Sequence, residues 1–373
     1  MKIKTITCHD VYNFGASLQA LAFQTYLKSV GYDVEIIDYI PSYKNIYPIF
    51  KIANKGLWGK LNSYMPIFKP IWGILQNRNN LKQIPKMLVY KKFKKEYLCC
   101  TKKKYRSFKE LVYDKPVADL FIAGSDQIWN PEFQNGLDPS YYCMFEEKKE
   151  KCISYAASFG VSEIQEVHKE FITQAIKHFK AISIREISGV RLAKELGVDA
   201  VNVLDPVFLL DKYSWMELAK CNNKERYLIV YDFAVDDCLI KAVAIKIAQD
   251  RHLKIYTLNK KQPYADRYLN ACSPIEFIQL IAGADMIIGN SFHATAFSII
   301  LEKDFYTLPL KEYHNNSRMK DLLDLFRLSD RFITDISEVN SYKHIDYSSR
   351  KQLIELEIEK SKKWLITQIS SKQ

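Results

Sequence analysis

No two cysteines in this 373-residue chain stand at C-x-x-C spacing, although there are eight of them, and only Cys99 and Cys100 are clustered. That absence argues against a zinc site or disulfide framework and for reduced, mostly buried thiols. No run approaches eighteen consecutive apolar residues, and the opening MKIKTITCHD lacks the basic head, apolar middle and small-residue cleavage pattern of a secretory signal, so a cytoplasmic location is expected. The single glycine of HDVYNFGASLQA, Gly15, does not make a G-x-G-x-x-G fingerprint, so no nicotinamide cofactor is inferred. No Asp/His group has recognisable ligand spacing, so no metal ligand is assigned and metal dependence stays open; no cofactor is expected, and no internal repeat or low-complexity segment is evident.

What is present is apolar material for two cores, 48% of the residues being hydrophobic. The net charge of +11 is uneven: residues 86–110, KMLVYKKFKKEYLCCTKKKYRSFKE, hold ten Lys or Arg against two Glu. Such a run suits phosphates, anionic lipid or a charged substrate, or is simply a solvated basic helix face. Before it, residues 43–75 are aromatic and apolar but broken by Lys and Pro, so that they suit an interface or an inserted subdomain rather than a span.

Strand-like and helix-like runs alternate. Lys2 to Cys8 reads as a strand, Ala16 to Val30 as an amphipathic helix stopped at Gly31, and Val34 to Ile40 as a strand, a βαβ unit that implies a parallel sheet. Further strands are read at 118–126, 151–158, 181–186 and 200–207. A second alternating set begins at RYLIVYDF and includes a helix opened by Ser273, Pro274 and Glu276, an explicit start signal. The expected architecture is α/β, with two Rossmann-like domains facing each other across a cleft. The first spans 1–210 with an aromatic-basic insertion at about 43–110; the second spans 211–373 and ends in a long helix.

Ligands of open α/β sheets lie beyond the carboxyl ends of strands, which singles out four turns. In the first, Asn13, Gly15, Ser17 and Gln19 offer close backbone approach and hydrogen bonds, or form an ordinary capped turn. In the second, AGSDQIWNP, Gly124, Ser125 and Asp126 are followed by Gln127, Trp129 and Asn130, amide and indole groups that suit a sugar, although a buried Trp in a capped turn reads the same way. In the third, Arg185 either forks onto a carboxylate or phosphate or pairs with a structural acid such as Asp205. In the fourth, MIIGNSFHATAFSIIL, Asn290 or Ser291 caps a helix whose free N–H groups make an anion site, with His293 in the first turn.

Seven segments, NFGASLQA, GSDQIWNP, SYAASFG, SIREISG, VLDPVFLL, SPIEFIQLIAGADMIIGNSFHATAFS and NSRMKDLL, stand in the order and wording of the polysaccharide pyruvyl transferase family, which the chain resembles from Met1 to about Asp330. The resemblance implies a GT-B-like pair of domains. It implies transfer of pyruvyl from phosphoenolpyruvate to two hydroxyls of a sugar in an exopolysaccharide or capsule, with a cyclic ketal formed and phosphate released. It also implies Arg185 and His293 at the donor, where they are expected to be catalytic; Asn290, Ser291, Phe292 and Arg318 are expected around the donor. Where better-known members carry R-x-H, this chain has Ser291 in place of the Arg, so a permanent charge is missing there; Arg318 or lysines of the basic segment are candidates to supply it.

Expected partners are phosphoenolpyruvate and a sugar or lipid-linked oligosaccharide, with peripheral contact at the inner face of a membrane and no nucleic acid. A nucleotide-sugar glycosyltransferase and a non-catalytic sugar binder in polysaccharide assembly stay open as alternatives, because the fold alone does not choose.

Overall fold

A computed structural model describes residues 1–44, 78–220, 225–234, 238–310 and 316–371. Most of the aromatic segment within the expected insertion therefore lies outside the described residues. Seven strands build one parallel sheet: β1 (Lys2–Ile6), β2 (Asp33–Tyr39), β3 (Cys100–Tyr105), β4 (Leu120–Asp126), β5 (Cys152–Ala157), β6 (Ser183–Ile184) and β7 (Val201–Asn202), in spatial order β3-β2-β1-β4-β5-β6-β7. Five build a second parallel sheet: β8 (Tyr227–Tyr231), β9 (Lys254–Leu258), β10 (Arg267–Leu269), β11 (Met286–Gly289) and β12 (Phe305–Thr307), in order β10-β9-β8-β11-β12. The interior strands β4, β5, β8 and β11 bury nearly every side chain, as expected where helices cover both faces of a sheet. Two strands were not expected from the sequence, β3 and β10. Both are sheet edges, and the CTKKKY of β3 carries lysine where a covered strand would carry Ile or Val.

The helix Phe14–Ser29 is capped by Asn13, whose Oδ1 accepts from the Ala16 N–H at 3.2 Å, and is followed by Gly31 at φ +93°. Its residues are buried except Thr25, Lys28 and Ser29, so it is not the one-faced amphipathic helix its spacing suggests. The reason is that the second half covers the face the first sheet leaves open: Phe14 stacks on Phe277 with ring centroids 4.6 Å apart and meets Tyr231 at 5.6 Å. The partner helix Pro274–Gly283 starts with the expected capping box between Ser273 and Glu276.

The closing helix, Lys351–Ser370, follows the second sheet in sequence but packs on the first half. The Leu204 N–H donates to Ser361 Oγ at 2.9 Å, Trp364 faces Tyr155, and Lys180 reaches the Ser371 carbonyl at 3.0 Å. The chain thus crosses between the halves twice, which ties them together. Among the described residues no helix is long and apolar enough to cross a membrane. None of the seven described cysteines is in a disulfide; Cys143, Cys152 and Cys272 are buried and Cys238 is exposed.

In each sheet the strand order reverses direction at one pair, β1 with β4 and β8 with β11, each the middle of its sheet. The loops leaving those four strands are where α/β folds place ligands.

Candidate functional site

Those loops converge on one cleft of about 260 Å³ whose wall includes Asn13, Asp126, Gln127, Phe133, Phe233, Asn290, Ser291, Phe292, His293, Leu310 and Arg318. Ser291 is the N-cap of the helix Phe292–Ile300 by its backbone (φ −114°, ψ 130°), but its side chain makes no capping bond. The amide end of that helix is therefore open to an anion. Asn290 is not free for a ligand: its Nδ2 donates to Asp232 Oδ1 at 2.7 Å and its Oδ1 accepts from the Phe233 N–H at 2.9 Å, tying the loops after β8 and β11 together.

His293 reaches across the joint onto the first helix. An added Cβ on Gly15 would lie 1.9 Å from His293 Nδ1, so glycine is required there by the ring's approach and not by its own backbone angle. The other ring nitrogen, Nε2, is buried, makes no hydrogen bond, and lies 3.5 Å from Asp205 Oδ2. We expect Gly15→Ala to push the ring aside and lower activity at least as much as a modest catalytic lesion. The same change in a His293→Ala background should cost nothing further, a coupling that a double-mutant cycle on activity will read.

Asp205 is the hub behind the cleft. Its buried carboxylate accepts from Arg185 Nη1 at 2.7 Å, Ser125 Oγ at 2.9 Å and the Val207 N–H at 3.1 Å. Burial alone would raise its pKa, but His293 and Arg185 outweigh that and hold it well below the usual carboxylate range. Arg185 thus pairs with the structural acid and is buried with it. Its guanidinium sits 4.3 Å over the Phe292 ring, while Nε and Nη2 make no hydrogen bond; Asp126 Oδ1 is 3.8 Å from Nη2. Phe292 therefore screens Arg185 from the cleft.

Arg318 does face the cleft. With its amide oxygen turned toward it, Gln127 accepts from Arg318 Nη1 and Nη2 at 3.1 Å, while Arg318 Nε makes no hydrogen bond. Burial, and then repulsion from Arg185, push its pKa down to about 10, so it stays cationic at neutral pH and an arriving anion would relieve both penalties.

Several residues singled out in the sequence are structural instead. Trp129 is fully buried, stacked on Tyr142 with its indole N–H on the Tyr141 carbonyl at 3.1 Å, so it offers no face to a sugar; the adjoining Asn130 is buried as well. Gln19 donates to Thr7 Oγ1 at 2.8 Å beneath the sheet end, and Ser17 is enclosed in the first helix. Gly124 lies inside β4, where an added Cβ would come within 3.1 Å of the Tyr155 carbonyl. Ser125 points at Asp205 and not at the cleft. Asp126, in the left-handed region at φ +68°, and Gln127 do line it.

The residues missed from sequence are the apolar walls Phe133, Phe233 and Leu310, for which no local pattern exists, and the central role of Asp205, whose Asp-Pro after a strand was the available signal. Among the described residues one group has metal-ligand proximity, His9, Asp38 and Cys100. The Lys94 ammonium already lies 2.5 Å from Asp38 Oδ1 and His9 Nε2 lies 3.1 Å from it. Burial acts to raise the Asp38 pKa, yet these two neighbours bring it down to about 2, so the carboxylate is already neutralised by the protein.

A family model described as polysaccharide pyruvyl transferase matches residues 13–312. No curated protein matches the chain significantly. Among solved structures, the UDP-GlcNAc 2-epimerase of Neisseria meningitidis bound to UDP-GlcNAc is similar at a TM-score of 0.50 and 8% identity, over 100% of both chains. The Methanocaldococcus jannaschii UDP-GlcNAc 2-epimerase in complex with UDP-GlcNAc and UDP is similar at 0.45 and 12% identity, over 96% of this chain and 93% of that one. Arabidopsis thaliana UGT89C1 complexed with quercetin is similar at 0.42 and 10% identity, over 99% and 91%. Likeness at this identity concerns the fold, a GT-B-like pair of Rossmann-like domains.

Proposed function

The chain belongs to the polysaccharide pyruvyl transferase family, and from that premise we propose that it moves pyruvyl from phosphoenolpyruvate to two hydroxyls of a sugar destined for a cell-surface polysaccharide. The observation that carries the reading is the coincidence of an uncapped helix start, an imidazole and a half-buried arginine, Arg318, in one cleft, with the buried Arg185 behind Phe292 at its wall, both arginines having guanidinium nitrogens that make no hydrogen bond. A donor with a phosphate and a carboxylate matches that demand. Arg318 and the first-turn amides of Phe292–Ile300 take the phosphate, so that Arg318 replaces the charge that Ser291 lacks. Rotation of the Phe292 ring off Arg185 brings Nη2 to the carboxylate.

In the first step a sugar hydroxyl adds to C2 of the enol while C3 gains a proton. In the second, the C2–O bond to phosphate breaks and the other hydroxyl closes the ketal, losing its proton. His293, at the donor end, supplies or removes a proton in these steps. The acceptor, a sugar or lipid-linked oligosaccharide, enters along the Asn13 and Asp126–Gln127 side, and the reaction takes place on the cytoplasmic side without a cofactor.

Thermal unfolding with phosphoenolpyruvate, phosphate and uridine diphosphate tests the reading. Phosphoenolpyruvate at about a hundred times its Kd should add roughly 2.7 kcal/mol, and Arg318→Gln should abolish most of that gain. Stabilisation by uridine diphosphate without any by phosphoenolpyruvate would replace the proposal with nucleotide-sugar chemistry, and silence from all three would leave a non-catalytic binder.

A further inference from the structure

The β3 edge of the first sheet, unpaired on its outer side among the described residues, carries a basic surface that the cleft does not use. The helix Ile84–Tyr97 turns Tyr90 and Phe93 into the core and leaves Leu88, Lys91, Lys92 and Lys95 exposed, residues that share one helical face by their spacing. The chain then forms β3, which among the described residues pairs only with β2 and exposes Lys102, Lys103 and Lys104. The helix Phe108–Tyr113 follows, exposing Lys109, Val112 and Tyr113, and Val117 lies just beyond it.

Lys92 pairs with Glu96 and Lys103 with Asp114, but among the described residues Lys91, Lys95, Lys102, Lys104 and Lys109 have no carboxylate within ion-pair distance. Lysines on an edge strand also guard against strand pairing between copies. That role does not account for the apolar side chains exposed along the same stretch of chain, on and just beyond the helices that flank the two faces of this sheet edge: Tyr113 is 92% exposed, Val117 81%, Leu88 59% and Val112 54%. Unpaired cations accompanied along the chain by an exposed tyrosine and aliphatics match a surface that is anionic at the level of headgroups and apolar just beneath. A nucleic-acid surface would instead call for several aromatic rings to stack on bases, and among these exposed residues Tyr113 is the one such ring.

We propose that this edge, from Leu88 to Val117, docks the protein onto an anionic lipid bilayer. The docking deepens the functional reading, since an acceptor held on a lipid is met by the protein at that surface. It does not depend on the donor, because its test reads lipid binding and not turnover. The purified full chain is sedimented with phosphatidylcholine vesicles with and without phosphatidylglycerol, at low and physiological ionic strength.

The expected result is partition only onto vesicles with phosphatidylglycerol, weakened by salt, and reduced more than about a hundredfold in Lys91→Glu/Lys95→Glu/Lys102→Glu/Lys104→Glu. Tyr113→Ser/Val117→Ser, which keeps the charge, should weaken vesicle binding severalfold while leaving retention on heparin unchanged. Unaltered melting curves of both variants establish that each is folded. The proposal is overturned by absence of binding to phosphatidylglycerol vesicles at low salt, by binding indifferent to the four charge reversals, or by an apolar double variant that binds vesicles as well as the parent.

Discussion

His293→Ala should abolish pyruvyl transfer, by about 10²- to 10⁴-fold, while changing stability by no more than about 1 kcal/mol. His293 is 8% exposed at the cleft and its Nε2 makes no hydrogen bond, and the Asp205 carboxylate it faces at 3.5 Å keeps Arg185, Ser125 and the Val207 N–H when the ring is removed. Phosphate release from phosphoenolpyruvate across a panel of sugar acceptors measures the first quantity and chemical denaturation the second. His293→Gln separates proton transfer from packing, because the amide fills similar space without titrating near neutrality; it should be as inactive as the alanine variant. A large loss of stability with activity retained would make the histidine a structural contact of Gly15 and nothing more.

Asp205→Leu should be the most destabilising single change in the site, costing about 3–5 kcal/mol, because it leaves Arg185 charged, buried and without its 2.7 Å partner. Pairing the change with Arg185→Met should restore most of that loss without restoring activity, since two apolar side chains then replace the ion pair. The pH dependence has a definite sign. The folded-state pKa of Asp205 is depressed, so its stabilisation is complete above the unfolded value of about 4 and is lost as the pH falls from there toward the folded value. The gap in stability between wild type and Asp205→Leu should therefore be full and constant above about pH 4 and shrink as the pH falls below it, which denaturation at a series of pH values from neutral into acid will read. A constant gap across that range would mean that the carboxylate charge is not what holds Arg185.

Much of the site was legible because strand-to-helix turns announce themselves locally. Gly289-Asn290-Ser291 after an apolar run marks a strand end and a helix start, and the structure sets that helix start at the cleft wall. Asp126 and Gln127 were found by the same reasoning, which failed for Trp129 two positions on. A turn's sequence tells where the chain leaves the sheet but not which side chains fold back: Trp129 turned into the space between Tyr142, Phe159 and Phe179 because that core had room for an indole and a carbonyl for its N–H. Edge strands escaped for a related reason. A strand covered on one side needs no apolar run, and CTKKKY has none.

By itself, then, the sequence determined the α/β alternation, the parallel sheets, the starts of the helices and the family wording of the turns, all properties set by residues within a dozen positions of one another. Tertiary structure alone decided that Asp205 would gather Ser125, Arg185 and His293, that Gly15 would have to be glycine because a histidine 278 positions later lies against it, and that Phe292 would stand between Arg185 and the cleft. Local preference fixes backbone shape within a turn or two. The partners of a buried charge are chosen by desolvation, which acts only when distant segments close over it.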